Sequence, residues 1–298
     1  MRLLAAAFLC ASLSCQQSVR VAAVPAPVGP VEYRVAVVGD NQVGAATFAS
    51  VCLAIRAERV DLLCGLGDHI QNGGAIPGEW LTQWAQPIAA AGIDGVPRVG
   101  CVGNHDDSFG YQRYVWPTDS HRLAGGVEGL WRAVTLGSVR WVFLDTREDV
   151  PIQQSLAQGG QQRAFIQSEI ASQEWQRARW RVVAFHHPHK TEYWDGGCYY
   201  PALPDRVGLV SLLASSGAHV VLNGHAHAYQ RGMVGPGTTW FISGGGGGYL
   251  DTAHCWDWPE ITRAEPRHHY LTIDVAPTAL TVRACDPSGV EFDRIVVR

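Results

Sequence analysis

The chain has 298 residues, 47% of them hydrophobic and 17% charged, with a formal net charge of −4. That length and apolar content fill one large α/β domain with a full core. The slight negative charge excludes a general electrostatic pull toward nucleic acid or an anionic membrane surface, so no direct nucleic-acid affinity is expected.

Met1 to Cys15 has a basic start and an apolar run too short to span a bilayer as a stable helix, which reads as an export signal. Small and apolar residues lead to Cys15, as in a bacterial lipoprotein signal, where that cysteine is acylated and becomes the mature N-terminus. Ser12 stands where such signals usually carry Leu. The alternative is ordinary cleavage further on, near Val21-Ala22-Ala23. Residues 1–15 are read as the signal peptide, 16–30 as a Pro/Ala-rich tether and 31–298 as the single folded domain. The expected location is the bacterial periplasm, a lipid anchor on the membrane, or the medium.

Val31 to Val38 is an apolar strand that ends in Gly39-Asp40-Asn41-Gln42. A helix follows, with Phe48, Val51, Cys52 and Ile55 on one face at helical spacing. Asp61 to Cys64 is a second strand, ending in Gly65-Leu66-Gly67-Asp68-His69. This order predicts a parallel sheet with a right-handed crossover, and such sheets bind ligands at the carboxyl ends of their strands. Glu79 to Ala91 is helical, with a break expected at Pro87. Pro97 to Val102 is a third strand, ending in Gly103-Asn104-His105-Asp106-Asp107.

Trp131 to Leu136 and Trp141 to Asp145 form an expected antiparallel pair around Gly137-Ser138. Gln161 to Arg179 is an amphipathic helix. Arg181 to Phe185 is a fourth strand and ends in His186-His187-Pro188-His189. Asp205 to Ser216 is a helix closed by Gly217. Val220 to Leu222 is a fifth strand, ending in Asn223-Gly224-His225-Ala226-His227. Further strands are expected near Trp240 to Ser243, Tyr270 to Val275, Ala279 to Cys285 and Phe292 to Val297. There is no internal repeat.

Beyond Cys15, six cysteines remain. Cys52, Cys64 and Cys101 fall in apolar runs and read as small buried residues. Cys198 and Cys255 fall in polar, aromatic loops and form the better candidate disulfide in an exported protein. No Cys-x-x-Cys occurs, so the zinc-thiolate spacing is missing.

Five strand ends thus offer Asp40, Asp68, Asn104-His105, His186 and His225/His227. Each alone has an ordinary explanation: Asp after Gly is turn chemistry, and His pairs often pack or face solvent. Together they matter, because a parallel sheet brings its strand ends to one edge. Carboxylate, amide and imidazole are the ligands of hard-to-borderline divalent cations. A shared carboxylate can hold two metals about 3.5–4 Å apart and clamp an in-line phosphoryl displacement.

In order, Gly39-Asp40, Gly67-Asp68, Gly103-Asn104-His105-Asp106, Val183-Ala184-Phe185-His186 and Gly224-His225-Ala226-His227 resemble the blocks of calcineurin-like metallophosphoesterases. The extension Ala228-Tyr229-Gln230-Arg231, with a Gly run after it, is most similar to the purple-acid-phosphatase-like branch. The resemblance covers about residues 34 to 298. It implies a four-layer α/β/β/α sandwich with two mixed β-sheets. It also implies two metal ions, divalent such as Zn, Mn or Fe, and hydrolysis of a small-molecule or nucleotide phosphoester by a metal-bound hydroxide. By that resemblance, Asp40, Asp68 and His227 hold one metal, and Asp68, Asn104, His186 and His225 hold the other. His105 sits beside the leaving oxygen, His187 and His189 line the pocket or are simply loop histidines, and Tyr229 and Arg231 orient ligands or pack.

Two residues depart from the pattern. Many relatives have Asp-x-His in the first block, and Gln42 stands at that His position. Purple acid phosphatases have Gly-Asp-x-x-Tyr in the second, and Gln71 stands at that Tyr position. The first metal site thus lacks its usual fourth ligand unless Gln42 supplies an oxygen. A phosphomonoesterase is the first expectation and a phosphodiesterase or nucleotidase the second. A catalytically weak metal- or phosphate-binding envelope protein is the rival from another class.

Overall fold

A computed structural model of the protein describes residues 30–116, 130–199 and 202–298. The expected signal peptide, Cys15 and the tether as far as residue 29 lie outside the described residues. β1, Tyr33–Val38, is apolar and fully buried from Val35 onward, as befits a strand covered on both faces. It pairs in parallel with β2, Leu62–Gly65, across α1, Ala45–Glu58. The buried face of α1 is Phe48, Val51, Cys52 and Ile55, the stripe read from the sequence.

A π-helical segment, Trp80–Ala85, runs into α2, Gln86–Ala90. The break expected at Pro87 does not occur. The N–H of Gln86 reaches back five residues to the Leu81 carbonyl, and Pro87 falls in the first turn of α2, where a missing N–H leaves no intrahelical bond unmade. β3, Arg98–Gly100, joins β2 in parallel. α3, Ser108–Tyr114, is capped by the Asp107 side chain, which accepts from Gly110 N–H at 2.7 Å.

β4, Arg132–Leu136, and β5, Val139–Phe143, form the expected antiparallel pair. After α4, Val150–Leu156, the long helix read from the sequence is two helices: α5, Gln161–Ala171, and α6, Gln173–Arg177. Ser172 is extended between them, and its hydroxyl accepts from Trp175 N–H, so it caps α6 rather than continuing α5. β6, Trp180–Ala184, follows. The next expected helix is likewise divided at Gly208, φ +65°, into α7, Leu203–Arg206, and α8, Leu209–Ser215.

β7, Val220–Asn223, β8, Tyr229–Val234, β9, Thr238–Ser243, and β10, Ile261–Glu265, come next. β11, Tyr270–Ala276, β12, Ala279–Cys285, and β13, Glu291–Val297, end the chain. Sheet one runs β13-β12-β11-β1-β2-β3 and sheet two runs β10-β8-β9-β7-β6-β5-β4; both are mixed. β8 and β10 carry charged residues and offer no continuous apolar run, so local sequence does not mark them as strands.

Period-two alternation sorts the second sheet between two cores. Trp141, Phe143, Val182, Ala184, Val220 and Leu222 join the core shared with the first sheet. Their neighbours Val142, Val183, Phe185 and Val221 pack instead under Ile166, Trp175, Leu209 and Leu213 of the helices. Helices on the outer faces and two sheets inside make the four-layer α/β/β/α sandwich. Burying each Val, Leu, Ile or Phe side chain among them stabilises the fold by about 1.5–3 kcal/mol. Trp180 Nε1 donates to the Ala276 carbonyl at 2.9 Å, and Tyr33 OH donates to the Leu136 carbonyl at 3.0 Å. These bonds rivet the sheets at the edge opposite the carboxyl ends of β1, β2, β6 and β7.

Candidate metal centre

The carboxyl ends of β1, β2 and β3 deliver Asp40, Asp68, Asn104 and His105 from one sheet. Those of β6 and β7 deliver His186, His225 and His227 from the other. Among the described residues, five non-glycines have φ in the left-handed region, and Asp40 (+60°), Asp68 (+52°) and His225 (+69°) are three of them. Each departs abruptly from its strand, which turns the side chain inward at a cost in backbone strain. Two glycines make room. A Cβ on Gly67, itself at φ +92°, would lie 2.5 Å from His186 Nδ1, and one on Gly224 would lie 2.5 Å from Asp40 Oδ2. The Gly-Asp and Gly-His pairs of the sequence are therefore close-approach points, not only turns.

Asp40 and Asp68 are buried, and their ion-pair contacts among the described residues are with histidines. His186 Nε2 lies 3.2 Å from Asp68 Oδ2, 3.9 Å from Asp40 Oδ1 and 3.1 Å from Asn104 Oδ1. Its Nδ1 donates to the Leu66 carbonyl at 2.7 Å, which fixes the ring with Nε2 facing the carboxylates. Ligand atoms of Asp68, His186 and His225 all fall within 4.8 Å of one another. His227 Nε2 lies 3.5 Å from Asp40 Oδ1 and 3.3 Å from Gln42 Nε2, and that amide nitrogen lies 3.4 Å from Asp68 Oδ2. The Gln42 Oε1 atom is buried without a hydrogen-bond partner.

Burial and neighbours set the charges. Burial raises the Asp40 pKa above the usual carboxylate range, against the pull of His186 and His227. Asp68 meets the same burial, but His186 and His105 outweigh it and its pKa is lowered. Burial pulls the His186 pKa down, yet Asp68 and Asp40 lift it to about 10. His227 moves the same way, to about 9, through Asp40. Burial, joined by His187 and His186, holds His225 neutral, well below its ordinary value. Two anions and several imidazoles in one dry site are balanced by protons, and a cation can take the place of a proton there.

His105 stands at the mouth. Its backbone N–H donates to Asp68 Oδ1 at 2.8 Å, and its Nδ1 donates to the Gln71 carbonyl at 2.7 Å. Its Nε2 lies 4.0 Å from Asp68 Oδ2. Gln71 thus meets His105. The cleft, about 260 Å³, is walled by Gln42, Val43, Asp68, Gln71, His105, Trp194, His225, His227, Tyr249 and Asp251.

His187 and His189, expected to line the pocket, stand behind its wall. The His187 ring packs 4.1 Å from His225, and its backbone N–H donates to Thr146 Oγ1. The His189 ring packs 4.1 Å from Trp240 in the apolar core. β6 ends after Ala184, and the bent His-Pro-His segment that follows is buried but does not line the cleft. Cys198 and Cys255 are free thiols rather than the expected disulfide, although their side chains interact. Tyr229 and Arg231 point to Asp293 on β13, at 2.6 and 2.7 Å, and so tie the two sheets together.

Two carboxylates to which the motifs assign no role support the site. Asp251 accepts from His227 N–H at 2.7 Å and Asp195 N–H at 2.9 Å. Asp106 accepts from Gly103 N–H at 2.9 Å, His69 N–H at 2.8 Å and His69 Nδ1 at 2.8 Å, binding the β2 and β3 loops into one unit. Asp106 was visible in the Asn-His-Asp block. Asp251 carries no motif, and only its position after the Gly run marks it.

The calcineurin-like phosphoesterase profile matches residues 33–229. No curated protein sequence matches the chain significantly. Among solved structures, a purple acid phosphatase from yellow lupin (Lupinus luteus) seeds superposes with a TM-score of 0.69 at 18% identity, covering 89% of this chain and 53% of that one. The chain thus spans about half the length of the lupin protein. A dimetal phosphatase from Danio rerio gives 0.62 at 15% identity, covering 90% of this chain and 99% of that one. The anchor in the inner membrane complex of Plasmodium gives 0.66 at 10% identity, covering 90% and 89%. At these identities the structures share the fold.

Proposed function

The chain belongs to the calcineurin-like phosphoesterase family, and from that premise we propose a metal-dependent phosphoesterase with a dinuclear centre, acting first on phosphomonoesters. One observation carries the reading: two buried carboxylates, from the ends of β1 and β2, meet three imidazoles and two amides at a single edge of both sheets. Asp40, Asp68 and His227 would hold one cation and Asp68, Asn104, His186 and His225 the other, with Asp68 shared.

The donor set fits. It mixes oxygen and nitrogen, His225 is neutral, and the Leu66 carbonyl presents His186 by Nε2. Gln42 supplies the remaining oxygen at the first position. Its Oε1 is orphaned, and a half-turn of the amide brings it beside His227 and Asp68 in place of Nε2. When bound, the cations supply positive charge to the phosphoryl oxygens and acidify a water nucleophile. His105, oriented through Gln71, donates a proton to the leaving oxygen from Nε2. Asp251 holds the backbone of His227 in place.

Gln42 favours one other reading, a weakly catalytic metal- or phosphate-binding protein, because an amide oxygen is a poorer ligand than imidazole. Membership of a fold that also serves as an anchor in Plasmodium is compatible with it. In both readings we further propose that the protein is exported, either with Cys15 as its lipid attachment point or, after ordinary cleavage near Val21-Ala22-Ala23, without an anchor. Metal analysis with turnover of a model monoester and a model diester tests the proposal. Two metals per chain and monoester turnover support it. A faster diester moves the substrate class, one metal without turnover favours the binding reading, and no metal overturns both.

A further inference from the structure

We propose that the cleft selects phosphoesters whose leaving group carries a planar aromatic ring, held by an apolar rim of Val43, Trp194 and Tyr249 above the polar floor. The inference rests on the phosphoesterase reading and names its substrate class.

The floor of the cleft is polar and ionic: Gln42, Asp68, His105, His225 and His227. Its rim is not. Tyr249 is 83% exposed and Val43 is 47% exposed, and both border the same cleft as Trp194. Single exposed apolar side chains are ordinary, but two exposed ones beside the half-buried Trp194, around one polar floor, form a patch of the kind that meets a ligand. The volume, about 260 Å³, suits a small ester rather than a polymer.

The rim is held stiffly. Gly246 N–H donates to the Gly39 carbonyl at 2.9 Å and Gly248 N–H to the Asp40 carbonyl at 2.8 Å. The Tyr249 carbonyl accepts from His227 Nδ1. The backbone under the Tyr249 ring is therefore pinned to the floor while the ring itself is left uncovered. Val43 sits at φ +56°, a strained conformation for a β-branched residue, and that conformation holds its isopropyl group at the mouth. Trp194 leans on His225 with ring centroids 4.7 Å apart and 30° between planes, and on Tyr199 at 5.2 Å. Its backbone N–H is fixed to the Ala253 carbonyl at 2.9 Å. An aromatic side chain on a fixed backbone has few torsions left to lose when a flat ligand stacks on it.

The test compares phenylphosphonate with methylphosphonate in calorimetric binding to the metal-loaded full chain. It also compares aryl with alkyl phosphates of matched leaving-group acidity in kcat/KM. The aryl member is expected to be favoured by about three- to tenfold for each ring it meets. Tyr249→Ala lowers that ratio by the same factor, and Tyr249→Phe keeps it. Tyr249 is exposed and its backbone bond to His227 survives both changes, so neither variant disturbs the core. Arms with phenyl phosphate and with a nucleoside monophosphate separate a simple aryl group from a nucleobase, and preference for either supports the proposal. Equal binding of the two phosphonates, binding of neither, or an unchanged ratio in Tyr249→Ala overturns it. Preferential phenylphosphonate binding with no turnover of any ester keeps it and overturns the phosphoesterase reading instead.

Discussion

His186 Nε2 stands 3.2 Å from Asp68 Oδ2, and the two residues come from different sheets. This contact joins the two halves of the sandwich inside the site. His186 cannot swing away, because its Nδ1 is bonded to the Leu66 carbonyl, two residues before Asp68. The carboxylate proposed to be shared between two cations therefore sits where the sheets meet, and changes at either sheet edge are felt there.

Asp68→Asn should lose metal and turnover together, since in the proposed centre one carboxylate serves both positions. His105→Ala should keep its metal content and lose about 10²–10⁴-fold in kcat, the usual range for acid–base assistance. Elemental analysis beside steady-state kinetics reads both. Full turnover by His105→Ala on a substrate with a poor leaving group would remove His105 from its role.

Gln42→His should tighten the first metal position. Gln42 lies within 3.4 Å of both Asp68 and His227, so an imidazole at this place faces the same ligands. Metal titration should show a lower dissociation constant for the weaker of the two ions, with activity rising most at low metal concentration. Unchanged affinity would mean that the side chain at position 42 does not reach the metal.

Acid should destabilise the fold through histidines buried in the neutral form. Burial, joined by His268 and Arg267, lowers the His269 pKa to about 4, despite the bond from its Nδ1 to the Arg267 carbonyl. Burial lowers His219 to about 4 as well. The unfolded chain takes these protons near pH 6.5, before the folded protein does. The stability they permit is thus complete above about 6.5 and drains away as pH falls toward 4, by up to about 1.4 kcal/mol per pH unit for each proton. His269→Asn keeps a donor toward Arg267 and should flatten that slope in chemical denaturation between pH 4 and 6.5. A slope equal to wild type would place the acid sensitivity elsewhere.

Oxidised glutathione should link Cys198 to Cys255. The two thiols already interact, and their hydrogen bond raises the Cys255 pKa. The loops that carry them are paired through Trp194 N–H to Ala253 and Cys255 N–H to the Glu192 carbonyl. Exchange releases two glutathione thiols for one new disulfide, and the crosslink should add about 2–4 kcal/mol to unfolding stability. Non-reducing peptide mapping identifies the bond, and Cys198→Ser should abolish both the bond and the gain. A reduced pair after full exchange would show that the loops hold the sulfurs in the wrong geometry.

The sequence by itself determined the parallel β1–β2 start, the buried stripe of α1, the β4–β5 hairpin, the last three strands and the edge at which Asp40, Asp68, Asn104, His186, His225 and His227 gather. Each of these is written in local periodicity and in glycines placed where a strand must turn sharply. Other features were decided only when distant segments met. The π-helical step before Pro87, the division of the long helices at Ser172 and Gly208, and the strands β8 and β10 depend on neighbours that no window of sequence contains. His189 could be read as a pocket residue until Trp240, 51 positions away in the chain, claimed its ring for the core. Asp251 and the apolar rim of Val43, Trp194 and Tyr249 belong to the site only because three loops close over it. A ligand's identity is local chemistry, whereas the wall around it is the sum of contacts between segments far apart in the chain, and those are fixed by packing.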